Sequence, residues 1–164
     1  MRYLRWVWYH LEEIFLVPSL ITSVTLIFVQ VIMRYVIGSS LSWSEELARY
    51  LFVWQIWIGV SYSARNKSHL RITMLRDRFG PRGRLAVELA VTAVWICFAI
   101  FIAARGFDLV AQVARYKQKS SALGMPMMYA HLAVPTGCVL MTARLVENTV
   151  RDLLYRAKRG GLSA

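Results

Sequence analysis

The run IFLVPSLITSVTLIFVQVIM, Ile14–Met33, contains no ionisable side chain over 20 residues. A helix needs about 20 such residues to cross a hydrocarbon core of about 30 Å, so this run reads as a membrane span. Three further apolar blocks follow it, Leu47–Ala64, Leu85–Ala104 and Pro126–Ala143. Arg49 lies in the first turn of the second block and Glu88 near the start of the third, while the fourth carries no charge. The expected fold is therefore an all-α integral membrane protein of four spans, over residues 14–34, 44–64, 85–105 and 126–146.

Composition agrees. The 164 residues are 57% hydrophobic with a mean hydropathy of +0.45, and only 18% are charged, against about 25% in soluble domains. The net charge of +11 raises nucleic acid as a partner, but the basic residues cluster between apolar blocks and no zinc-finger or RNP-like motif occurs. Basic flanks on membrane spans account for them better. Cys97 and Cys138 both lie inside apolar blocks and read as packing residues; no metal site is expected.

The segment before the first block, MRYLRWVWYHLEE, interleaves Arg2 and Arg5 with Leu4, Trp6, Trp8 and Leu11. That pattern suits a short interfacial helix over 2–12. The apolar run behind it exceeds the roughly 7–15 residues of a signal-peptide core, and no small-residue cleavage site follows, so the first span is expected to be retained. In RNKSHLRITMLRDRFGPRGR, Leu70, Met74, Leu75 and Phe79 recur at helical spacing between arginines, a second interfacial helix over 70–79. RGFDLVAQVARYKQKS keeps a helical pattern past the third span, which therefore projects beyond the bilayer.

Of the 20 Lys and Arg residues, 14 lie in the N-terminus, the 65–84 connection and the C-terminal tail. The positive-inside rule then places both termini and the 65–84 loop in the cytoplasm.

The spans lack what a solitary transporter needs. Gln30 and Gln55 are the main polar groups at depth, and no carboxylate or histidine pair sits mid-membrane. A haem-carrying or anchoring subunit of a redox complex is the alternative reading. His10 and His69 are expected at one surface and His131 near the other, which disfavours a bis-histidine site. A small autonomous exporter is a third reading. No catalytic constellation is visible.

Packing and docking features remain. Small residues recur four apart at Gly59 and Ser63, Ala86 and Ala90, and Ala133 and Gly137, a spacing that lets membrane helices approach closely. Tyr50, Trp54, Trp57 and Ser61 form a stripe on the second span, facing either lipid or a partner. Pro135 is expected mid-span, where it kinks the fourth helix. Ser42-x-x-Glu45 matches a capping box, and Glu45 with Arg49 are an i,i+4 pair. With Arg34 from the first span, Glu45, Glu46 and Arg49 are expected to form a charge cluster at the outer surface, either solvated or at an interface.

RYVIGSSLSWSEELARYLFVWQIWIGVSYSARNKSHLRI resembles the signature region of the small membrane subunit of tripartite ATP-independent periplasmic (TRAP) transporters. The matching features are Arg34-Tyr35, Trp43-Ser44-Glu45-Glu46, Arg49, Gly59 and His69; Pro126, Pro135 and Gly137 match the start of the family's fourth span. Where the family often carries an acid a few positions after the His, this chain reads Leu70-Arg71-Ile72-Thr73. The resemblance implies a non-catalytic scaffold for a large elevator-type permease subunit, with sodium coupling in that partner and no cofactor here. It also implies a soluble periplasmic substrate-binding protein as second partner, organic acids as cargo, and the segments 36–48 and 105–125 as docking surfaces. Interface candidates are Arg34, Trp43, Glu45, Glu46, Arg49, Tyr50, Trp54, Trp57, Gly59, Pro126, Pro135 and Gly137.

Overall fold

A computed structural model describes residues 2–39, 41–66 and 81–160, and among these the chain is helical with no strand. Four long helices are present: α1 (Arg2–Ile32), α2 (Ser42–Arg65), α3 (Pro81–Arg115) and α5 (Ala133–Gly160). A single turn, α4 (Met128–His131), precedes α5. The helix expected over 70–79 lies outside the described residues. Residues 2–12 are not a separate helix: α1 runs unbroken from Arg2, and no glycine or helix-ending proline interrupts the sequence before the apolar run. It ends in a wide π-type turn, Met33–Ile37, closed by Gly38 at a φ of 71°, a left-handed conformation that glycine tolerates.

The helices form an open row. Among the described residues α1 packs on α2, α2 on α5, and α5 on α3, while α1 and α3 do not meet. The two edge helices are the long apolar ones. The segments His10–Ile37 and Ala86–Arg115 are each long and apolar enough to cross a membrane, with only 17% of each apolar window buried inside the chain. A core helix of a soluble protein would show the reverse, since its apolar face has to leave water.

Inverted burial explains the arrangement. On α1 the buried residues are Glu12, Ser19 and Ser23, while Ile21, Val24 and Phe28 stand outward. The polar positions fall on one helical stripe, so α1 turns its polar side to α2 and its greasy side out. Gln55 reaches across to donate to Ser23 Oγ at 3.2 Å. On α3 the inward stripe is Thr92, Ala99, Ala103, Gly106 and Val113, mostly small side chains that let α5 come close. The shared core is Ala64, Ala99, Ala103, Cys138, Met141 and Leu145, with Trp57 and Trp95 against it.

Two small residues set helix separations. A Cβ at Gly137 would meet the Trp57 carbonyl oxygen at 2.6 Å, so the expected Ala133–Gly137 pair does mark a close crossing, of α2 on α5. A Cβ at Gly106 would meet Pro135 Cδ at 3.0 Å. By contrast, a Cβ at Gly59 meets nothing within 4 Å among the described residues, so Gly59 marks no comparable close approach there.

Pro135 occupies the first turn of α5 and not the middle of a helix. Its missing N–H leaves the His131 carbonyl without the usual helical donor, and regular helix is interrupted at Leu132, between α4 and α5. The kink expected of Pro135 thus falls at the start of the long helix. Pro126 lies before α4, in an isolated antiparallel bridge with Lys119.

Candidate functional site

Polar groups gather at the two ends of the row. At the end shared by the first part of α1 and the middle of α5, Glu12 is fully buried and Arg144 is 2% exposed. Arg144 grips Glu12 with two parallel bonds, Nε to Oε1 at 2.7 Å and Nη2 to Oε2 at 3.0 Å. This fork geometry is the strong form of a guanidinium–carboxylate pair. Ser61 Oγ donates to Glu12 Oε1 at 3.3 Å, and Arg65 Nη1 stands 3.5 Å from Oε2. Arg65 also pairs with Glu13 at 2.5 Å and lies over the Tyr62 ring at 4.7 Å.

The remaining valences of Arg144 are filled as well. Its Nη1 reaches Glu147 Oε2 at 3.2 Å, Nη2 donates to the Trp8 carbonyl, and the guanidinium lies 4.4 Å from the Trp8 ring centroid. Trp8 Nε1 donates to the same Glu147 oxygen at 3.2 Å, and Arg151 pairs with Glu147 Oε1 at 2.8 Å. Among the described residues three carboxylates (Glu12, Glu13, Glu147) therefore meet three guanidiniums (Arg65, Arg144, Arg151). Asn148 completes the end of α2 by donating to the carbonyls of Ala64 at 3.0 Å and Arg65 at 3.2 Å. Glu147 lies just past the expected fourth span. Burial alone would push its carboxyl pKa up, but hydrogen bonds from Trp8 and Arg144 and the charges of Arg144 and Arg151 hold it below its ordinary 4.5.

The opposite end is built on the Trp43-Ser44-Glu45-Glu46 segment. Ser42 and Glu45 do not form a capping box: α2 begins at Ser42 after Leu41 with no side-chain cap, and Ser44 Oγ instead donates to the Leu41 carbonyl at 2.8 Å. Glu45 accepts from Arg49 Nη2 at 3.2 Å, as the i,i+4 spacing predicts, and from Gln30 of α1 at 3.2 Å. Arg34 forms no ion pair among the described residues. It lies exposed in the wide turn, and Gln30, one turn earlier, takes the place expected for it.

Glu46 does something the sequence did not show. Its Oε2 accepts backbone N–H bonds from Ala122 at 2.8 Å and Leu123 at 3.1 Å, and its Oε1 accepts from Tyr50 at 2.8 Å. One carboxylate thereby pins the loop between α3 and α4 onto the head of α2. Trp54 adds a bond from its indole N–H to the Tyr129 carbonyl at 3.1 Å. The polar groups of the Tyr50–Trp54–Trp57–Ser61 stripe are engaged within the chain. Each member touches another part of the same chain: Glu46, Tyr129, the backbone at Gly137, and Glu12. Trp43 is exposed.

The arrangement ties helices together. Among the described residues no group of three or more His, Cys, Asp or Glu side chains is placed to hold a metal. Sequence reasoning missed the Glu12–Arg144 pair, whose members lie 132 positions apart. One local signal was available: Glu12, Ser19, Ser23 and Gln30 recur at spacings of seven, four and seven, a polar stripe along α1.

Comparison with known proteins bears on what such a row is. The chain is 26% identical over 147 residues to the sialic acid TRAP transporter small permease protein SiaQ of Vibrio cholerae, covering 90% of this chain and 84% of that protein. It is 32% identical over 111 residues to the C4-dicarboxylate TRAP transporter small permease protein DctQ of Rhodobacter capsulatus, covering 67% and 48%. Against the isethionate TRAP transporter permease protein DctMQ of Oleidesulfovibrio alaskensis it is 26% identical over 151 residues, 88% of this chain but only 24% of that one. The family described as tripartite ATP-independent periplasmic transporters, DctQ component, matches residues 23–154, and the chain belongs to that family as a TRAP transporter small membrane subunit.

Proposed function

We propose that this chain is the non-catalytic scaffold of a sodium-coupled uptake system for organic acids, spanning the bacterial inner membrane four times with both termini in the cytoplasm. In this reading it braces a large elevator-type permease subunit, which holds the substrate and sodium sites, and helps receive a soluble periplasmic binding protein. The observation that carries it is the inverted burial of the row. Glu12, Ser19, Ser23, Ser61 and Arg144 are buried inside the chain, while α1 and α3 turn largely apolar faces outward. Such faces need lipid or another apolar helix against them.

Chain coverage supports the large partner. The same sequence matches about a quarter of DctMQ, and 74 of its residues match 12% of the sialic acid TRAP transporter permease protein SiaT of Haemophilus influenzae. In those polypeptides the matching segment is one part of a much longer permease.

Co-expression with the large permease tests the reading. The two subunits are expected to co-purify, and this chain alone in liposomes to give no solute uptake; uptake by the chain alone refutes the scaffold role. A cysteine at Ser68 is expected to be labelled from the cytoplasmic side only, and labelling from outside overturns the orientation.

A further inference from the structure

The last turn of α3 and the loop that Glu46 holds line a half-open cavity of about 250 Å³. Its wall is apolar, from Val113, Ala114, Pro126 and Met128, and its rim is Lys117, Gln118 and Lys119. The loop is tied at several points. Ser120 N–H donates to the Met125 carbonyl at 2.8 Å, Met127 N–H to the Gln118 carbonyl at 3.0 Å, and Gln118 N–H to the Val113 carbonyl at 3.4 Å. With the Glu46 bonds, these make the rim a preformed shape.

Two features of the rim are not explained by folding. Lys117 has a φ of 48°, the left-handed position after a helix where glycine is the ordinary residue, so a long cation is kept there at a conformational cost. Backbone outliers of this kind cluster at functional sites. The charge is also unbalanced. Residues 113–128 contain Arg115, Lys117 and Lys119 and no acid, and among the described residues none of the three forms an ion pair. The two nearest acids on α2 are engaged elsewhere, Glu45 with Arg49 and Glu46 with the loop backbone. On the side proposed as external, basic residues are the ones that membrane proteins deplete.

We infer that this cavity is a docking socket for a soluble protein that inserts one bulky apolar side chain flanked by carboxylates. The apolar wall takes the side chain, and Lys117 and Lys119 meet the flanking acids. Rim charges of this kind act chiefly on association rate and salt dependence. The inference rests on the proposed role in receiving the periplasmic binding protein, and specifies where that protein lands and with what chemistry.

The test uses the chain assembled with its large permease in nanodiscs, with the soluble binding protein of the same system as analyte. Photo-crosslinkers are placed separately at Lys117, Lys119 and the exposed Tyr35. Crosslinks to the binding protein are expected from 117 or 119. A Lys117→Glu/Lys119→Glu variant is expected to associate about tenfold more slowly at low salt, with the difference shrinking near 0.5 M salt, where the Debye length falls to a few ångströms. Lys117→Gly, which relaxes the backbone while removing the charge, is expected to slow association without loss of thermal stability. Crosslinks from Tyr35 alone, with association unchanged in the charge-reversed variant, overturn the socket and leave the docking role standing. No crosslink from any of the three positions overturns both. Crosslinks from 117 and 119 to lipid only assign the cavity to anionic headgroups and overturn the inference.

Discussion

Replacing Glu12 by Ala strands Arg144 inside the row. The substitution removes the two fork bonds at 2.7 and 3.0 Å and the acceptor of Ser61, and it leaves a guanidinium that is 2% exposed. Breaking one side of a buried ion pair costs about 3–5 kcal/mol, mostly because the surviving charge is left without compensation. Arg144 keeps Glu147 at 3.2 Å and the Trp8 carbonyl, so a loss of about 3 kcal/mol is expected, at the lower end. The assay is denaturant unfolding of the purified subunit in detergent micelles, followed by the fluorescence of its six tryptophans. A companion variant, Glu12→Leu with Arg144→Met, removes both charges and is expected to recover about half of the loss or more. The coupling energy between the two positions should then reach about 2 kcal/mol or more. A Glu12→Ala loss below about 1 kcal/mol, or additive single and double variants, would refute the reasoning that this pair fastens α1 to α5.

Four further outcomes are expected. Gly137→Ala pushes a methyl into the Trp57 backbone and should destabilise the subunit by about 1–3 kcal/mol, whereas Gly59→Ala should be neutral or gain up to about 1 kcal/mol in the isolated chain; parallel denaturation curves compare them. Glu46→Ala should release residues 116–127, read as faster amide exchange at Ala122 and Leu123, with unfolding of the rest little changed. Reversing Glu45 and Glu46 together to Lys should weaken co-purification with the large permease, and unchanged assembly counts against an interface at this end. Glu147 titrates below its ordinary value in the folded chain, so its contribution is complete above about pH 4.5 and is lost as pH falls through the lower folded value. Glu147→Gln should flatten that acid limb of a stability–pH curve.

The legible parts of this fold are those written in local pattern. The start and end of α2, the overrun of α3 past the apolar block, and the close crossing at Gly137 all follow from runs and spacings of a few residues. The order of the row does not, because periodicity says which stripe of a helix is distinctive and not which helix meets it. The stripe on Tyr50, Trp54 and Trp57 was visible, but its neighbours Tyr129 and Gly137 lie 75 to 80 positions later in the chain. Glu46 shows a related limit. Its residue type and helix-start position suggest a dipole or capping role, yet its partners are two backbone N–H groups whose arrival depends on how a distant loop folds. In the sequence Arg34 looked like the natural counter-ion, and a wide turn with a nearby glutamine sufficed to displace it.

The Glu12–Arg144 fork also imposes an order on biogenesis. Glu12 is synthesised before Arg144, which follows 132 residues later. Within the hairpin of α1 and α2 the carboxylate already has partners, Arg65 at 3.5 Å and Ser61 at 3.3 Å. The hairpin is thus a provisional half-structure with a holding partner already in place. Delivery of α5 adds a bidentate ion pair to the looser one with Arg65, so that α5 locks α1 in place.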